Sequence, residues 1–97
     1  MLTSKERSNL RSLANGIKPV TQVGKNGVND TLVKCVSDSL EAHELVKITV
    51  LENSMLTPKE VGFEIAEKTG AEFVCATGRK LVFYRRSKKD GIKHIEY

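Results

Sequence analysis

The sequence predicts an α/β domain with the element order α-β-α-β-α-β-β: a four-stranded mixed sheet with helices packed against it in two layers. Three observations predict this. Apolar residues recur at helical spacing in three stretches, centred on Leu10, Val36 and Ile65. Short β-prone runs, Val20–Val23 and Val46–Val50, alternate with those stretches, which is the pattern of strand–helix–strand units. Two further β-prone runs, Ala71–Ala76 and Leu81–Tyr84, flank Thr77-Gly78-Arg79-Lys80 and read as a hairpin.

Each element has its own local signals. Thr3-Ser4-Lys5-Glu6 is a capping box, in which the Thr3 hydroxyl and the Glu6 carboxylate each take a backbone amide at a helix start. Leu10, Leu13, Ala14 and Ile17 form the apolar stripe of that helix, and Asn15-Gly16 is its stop signal. Pro19 starts the first strand, where a missing N–H does least harm. Asn29 or Asp30 can cap the second helix, whose buried side is Val28, Leu32, Val36 and Leu40 with Val33 and Cys35. In the second strand Val46, Ile48 and Val50 alternate toward the core. Thr57-Pro58-Lys59-Glu60 is a second capping box, with proline at the first helical position, and Gly70 ends that helix. Two crossovers of one hand place the second and third helices on one face of the sheet. The strand–helix–strand steps imply parallel neighbours, with the hairpin adding an antiparallel strand. Residues 1–86 read as one domain, and 87–97 as a loose, basic tail.

The 97 residues suffice for a single core without staples. No apolar run approaches the ~20 residues of a membrane span, and the N-terminus lacks the apolar segment of a secretory signal. Cys35 and Cys75 lack metal-ligand spacing and sit among apolar neighbours, so they read as core residues in a reducing, cytoplasmic setting. No catalytic set, metal site or cofactor motif is present in the sequence, and a non-enzymatic monomer without a small-molecule substrate is expected. The net charge of +4 is unevenly spread. Residues 1–27 carry +4, residues 28–78 carry −5 and residues 79–97 carry +5. If the basic ends meet in space, they form one cationic surface backed by an acidic one, the footprint of a polyanion binder. Five aromatic residues, Phe63, Phe73, Phe83, Tyr84 and Tyr97, are mostly accounted for by the core, so base stacking is expected to be minor.

The stretch with most chemical content is Gly24-Lys25-Asn26-Gly27, between the first strand and the second helix. Two glycines permit close approach of a backbone and positive φ, Lys25 supplies a charge at the tip, and the helix behind presents its amides and positive dipole end. The same pattern also suits a simple tight connection from strand to helix. It is not a Walker A loop, because the downstream Lys-Ser/Thr pair is absent. In KH domains a GXXG loop clamps a nucleic acid backbone.

Several blocks in order carry a wider resemblance. They are Leu2–Arg7 with Leu10-Arg11 and Ala14, Lys18-Pro19-Val20, Gln22–Val28, His43–Lys47, Thr69-Gly70-Ala71 and Thr77–Arg85. Over residues 1–86 the chain resembles the YhbY-like, or CRM-domain, family of RNA-binding proteins linked to ribosome assembly and intron splicing. The resemblance implies binding of structured RNA through the GxxG loop and adjoining basic surface. It also implies association of free-standing bacterial members with precursors of the large ribosomal subunit. It places the family's loop on Gly24 and Gly27 and its basic first helix on Arg7 and Arg11. Lys25, Asn26 and Lys18 extend that path. Arg79, Lys80, Arg85 and Arg86 join the candidates because their block is basic. The rival reading is an adaptor that docks on ribosomal proteins or assembly factors through the acidic middle.

Overall fold

The computed structural model describes residues 2–88, 91 and 94–97. Helix α1 spans Ser4–Ala14, strand β1 Thr21–Val23, α2 Asp30–His43, β2 Leu45–Val50, α3 Pro58–Thr69, β3 Glu72–Thr77 and β4 Lys80–Tyr84. The fold is α/β with a four-stranded mixed sheet, as the sequence predicts, in the order β1-β2-β4-β3. Both capping boxes form, with Thr3 and Glu6 reciprocally bonded on α1 and Thr57 and Glu60 on α3.

Strand β1 runs parallel to β2, while β4 is antiparallel to both its neighbours. The expectation of parallel neighbours at each crossover therefore holds for β1–β2 but not for β2 and β3. The hairpin folds β4 back between them. The reason lies in β4, where Leu81 and Phe83 point to one face and Val82 and Tyr84 to the other, all buried. A strand that is apolar on both faces belongs in the middle of a sheet, and the more polar β3 takes the edge.

Two cores result. Val46, Ile48 and Val50 of β2 and Leu81 and Phe83 of β4 pack with Val23, with Leu32, Val36 and Leu40 of α2, and with Val61 and Ile65 of α3. On the other face Leu45, Val74, Val82 and Tyr84 meet Leu10 and Ala14 of α1. Helices α2 and α3 thus share one face, and α1 adds a partial third layer on the other. Leu13, expected in the α1 stripe, is 46% exposed because the side chains that the helix buries against the sheet are Leu10 and Ala14. The cysteines also differ from expectation, since both are partly exposed at the margins of the cores.

Residues 87–97 were expected to be loose, and the described part of this segment is tied down. Lys89, Asp90 and Lys93, part of its basic character, lie outside the described residues. Glu44 is fully buried at the left-handed C-cap of α2, with φ 64°. Its carboxylate accepts from the amides of Ser87 and Ile95, each at 2.7 Å, and pairs with His94 Nδ1. Ile95 packs against the second core and Tyr97 lies edge-on to Tyr84, with centroids 4.9 Å apart. A buried carboxylate without partners is costly, so Glu44 fixes the chain that returns to it. Arg85 joins the same corner. Its guanidinium donates to Thr69 O, Ser37 O and Glu41 Oε1, linking the ends of α2, α3 and β4.

Gly62 decides how α3 meets the sheet. A Cβ there would lie 2.5 Å from the Phe73 ring, which stacks on Phe83. Although alanine is the better helix former, Gly62→Ala is expected to destabilise the protein by about 1–2 kcal/mol through overpacking. Urea unfolding measures this. Glu44 gives an acid-dependent prediction. Burial pushes its carboxyl up, but His94 and the amides of Ser87 and Ile95 outweigh that and hold it below the usual 4.5. Its contribution is therefore complete above the unfolded value and is lost as pH falls through the folded one. Glu44→Gln should cost roughly 1.5–3 kcal/mol at neutral pH. The stabilities of variant and parent should converge as pH drops below 4.5, as read by chemical denaturation across pH.

Candidate nucleic-acid interface

The second face of the sheet is covered at one end and open at the other. At the covered end, Leu45 and Tyr84 lie opposite each other beneath the tail and α1. Two residues along, Lys47 lies opposite Val82, which lies opposite Cys75. The next row is polar across all four strands, with Gln22 beside Thr49, Thr49 beside Lys80 and Lys80 beside Thr77. Helix α1, only 11 residues long, does not reach across this row. Instead its Arg11 and Asn15 overhang a cleft of about 200 Å³ floored by Lys47, Val82, Cys75 and Lys80. Lys47 and Lys80 are diagonal neighbours, with Cβ atoms expected about 7–8 Å apart. Three cations converge there from three different elements.

Cys75 sits among these cations. Burial pushes its thiol pKa up, against the pull of Arg11, Lys47 and Arg7. The thiol therefore stays neutral at physiological pH and puts no negative charge into the cleft.

The glycine loop lies just beyond the polar row, at the same end of the sheet. Gly27 N donates to Gly24 O at 3.0 Å, closing a turn directly after β1. Gly27 has φ +68°, which favours glycine. Gly24 is different, since a Cβ there would meet Asn53 Oδ1 at 3.4 Å and Leu51 Cδ1 at 3.6 Å, ordinary contacts. Lys25 and Asn26 are exposed at the tip, and the loop borders an open concavity of about 640 Å³ with Gln22, Asn29 and Asn53. The helix behind the loop is less free than its sequence suggests. Asn29 Oδ1 accepts from Leu32 N at 2.9 Å, and Asp30 stands in the first turn against the dipole. The charge for an anion here thus comes from Lys25 more than from α2. Arg79 completes this end. Its carbonyl accepts from Val50 N and its guanidinium donates to Leu51 O, beside the amide that bonds Val23 O.

The remaining candidates lie elsewhere or are engaged. Arg7 donates to Phe73 O and Val74 O, tying α1 to the β3 edge, and keeps 40% of its side chain exposed. Lys18 is exposed past the end of α1 and does not border the cleft. Arg85 is held by α2 and α3 at the far end of the sheet, and Arg86 is exposed beside it near Tyr84. The basic C-terminal block is therefore split, because β4 carries Arg79 and Lys80 at one end and Arg85 and Arg86 at the other. Lys47 was missed because its block is acidic on average. Its signal was present in the alternation of β2, where Lys47 and Thr49 occupy the positions facing away from Val46, Ile48 and Val50. On the opposite face, α2 and α3 carry Asp38, Glu60, Glu64 and Glu67, with Lys34 paired to Asp38 and Lys68 to Glu64. No helix among the described residues is long and apolar enough to cross a membrane.

These features define a small α/β domain with a glycine turn and an open cationic sheet face. Residues 2–85 match the CRS1 / YhbY (CRM) domain, and the chain belongs to that family. It is 38% identical over 96 residues to a Bacillus subtilis (strain 168) protein named probable RNA-binding protein YqeI, covering 99% of this chain and 98% of the relative. It is 30% identical over 92 residues to a Haemophilus influenzae RNA-binding protein, covering 95% and 93% respectively. The solution structure of a hypothetical Staphylococcus aureus protein, described as a candidate RNA-binding protein, superposes with a TM-score of 0.78 at 42% identity. That match covers 93% of this chain and 94% of the other.

The two loop glycines should separate by stability. Gly27→Ala, forced into positive φ, is expected to cost about 1 kcal/mol, whereas Gly24→Ala should stay within roughly 0.5 kcal/mol of the parent. Thermal melting of both variants checks the contrast.

Proposed function

We propose that this protein is a non-enzymatic RNA-binding domain that holds structured RNA by its backbone. Its site is the loop Gly24–Gly27 together with Arg11, Lys47, Arg79 and Lys80. One observation carries the reading: the open end of the second sheet face gathers cations from α1, β2 and β4 beside the glycine turn, while Asp38, Glu60, Glu64 and Glu67 lie on the helices of the other face. The polar row Gln22–Thr49–Lys80–Thr77 adds uncharged donors between the charges. Such groups contact phosphate and ribose and read little sequence. Lys18 and Arg86 are peripheral in this reading, and Arg7 and Arg85 act mainly in the fold. The names of the relatives support RNA as the partner. The family resemblance further supports ribosomal RNA in a large-subunit precursor, and in this reading the protein acts as a monomer in the cytoplasm.

The test titrates a structured ribosomal RNA fragment against salt. Log affinity should fall linearly with log salt, with a slope of roughly −0.7 to −0.9 per neutralised phosphate. Lys47→Ala should make that slope shallower by about one contact. Gly24→Asp places a carboxylate where the turn meets the RNA and should weaken binding at least about tenfold, the scale of one lost charge-assisted contact. Its melting temperature should be unchanged. A flat salt response, or full affinity in both variants, would overturn the assignment.

A further inference from the structure

The β3 edge carries a second concavity that the backbone contacts of the cationic cleft do not use. It is a groove of about 650 Å³ between α3 and β3, mostly apolar, with Pro58, Phe63 and Ala66 on one side and Phe73 on the other. Phe63 is 59% exposed. Its ring stands edge-on to Phe73 at 5.6 Å, and Phe73 in turn stacks on the buried Phe83. The platform is thus an exposed aromatic ring backed by the core, and Phe63 is one aromatic that the core does not account for. Gly62 makes it possible by letting the Phe73 ring lie against α3.

Two observations say what the groove would hold. Its charged residues include Lys59 and Arg7, with Glu72 in the same lining, so an apolar floor lies beside cations. It also adjoins the cationic cleft across the β3 strand, where Cys75 lines both concavities. Arg7 and Arg11, one helical turn apart on α1, face that same thiol. A polyanion lying along Arg11 and Lys47 would reach the groove by rounding the β3 edge. An apolar, aromatic slot flanked by cations along a phosphate path suits a nucleobase with its 5′ or 3′ phosphate. We propose that the Phe63–Phe73 groove takes one unpaired base of the bound RNA, with Lys59 at its flanking phosphate. This rests on the proposed RNA-binding function and adds to it that the ligand is a helix interrupted by an unpaired nucleotide.

The experiment compares two RNA hairpins that differ only in a single unpaired adenosine in one strand. The full chain should bind the interrupted hairpin more tightly, by roughly 5- to 150-fold, the range of one base–aromatic stack. Phe63→Ala should abolish that preference while leaving affinity for the uninterrupted hairpin unchanged, and Phe63→Tyr should retain it. Phe63 is exposed, so the alanine variant is expected to fold, which circular dichroism verifies. A 4-thiouridine in the unpaired position should crosslink to the peptide holding Phe63 or to that holding Phe73. Equal binding of both hairpins by the parent protein overturns the inference while leaving the RNA reading intact. Failure of both hairpins to bind at low salt overturns the RNA reading, and this inference with it.

Discussion

The sheet has two faces and only one is fully covered, and this asymmetry organises the molecule. Strand β2 sends Val46, Ile48 and Val50 into the core under α2 and α3, and Leu45, Lys47 and Thr49 to the other side. Period-two geometry allows no compromise, since every residue must choose a face. On the second side the covering material is short: α1 and the returning tail. They bury Leu45, Val82 and Tyr84 and then run out. Beyond that point the strand residues on this face must tolerate water, and they are lysine, threonine and glutamine. The cationic site is therefore the uncovered remainder of a packing layer, held by strands whose opposite face is fixed in the core.

That origin explains the rigidity of the site. Lys47 and Lys80 rise from strands whose neighbours Ile48 and Leu81 are fully buried, so the backbone beneath the charges cannot shift without disturbing the core. Arg11 is positioned by Leu10 and Ala14, which seat α1, and by Arg7, which fastens it to Phe73 and Val74. Preorganised cations lose less entropy on binding than cations on a free chain. The tail contributes from behind, since Glu44 secures Ser87, His94 and Ile95, and these help to close the covered end.

Much of this was legible in the residues. Capping boxes at Thr3 and Thr57, the left-handed stop at Gly70 and the hairpin at Gly78 are local signals, and local signals survive folding. The glycine turn was equally local. What depended on pairing was harder. Nothing short-range says that β4 inserts between β2 and β3, although its unbroken apolar run is the trace of that position. The role of Glu44 was hidden because a lone acid at a helix end resembles a solvated one, and its partners lie 43 to 51 residues away. Lys47 was lost to averaging, since charge counted over a block says nothing of charge sorted by face.

Face sorting also changes what the arginines mean. A basic segment counted as one patch here divides by mechanism. Arg7 and Arg85 donate to backbone carbonyls at 2.5 Å and link elements that the hydrophobic cores alone leave separate. Their planar forks suit that task, as a lysine ammonium would not. The cations left to face solvent beside the turn are Lys25, Lys47 and Lys80, with Arg11 and Arg79 at the margins. Lysine on a rigid strand neutralises a phosphate without demanding one geometry, which suits a ligand recognised by the path of its backbone. Guanidinium groups hold elements together, and mostly ammonium groups are left facing solvent beside the turn.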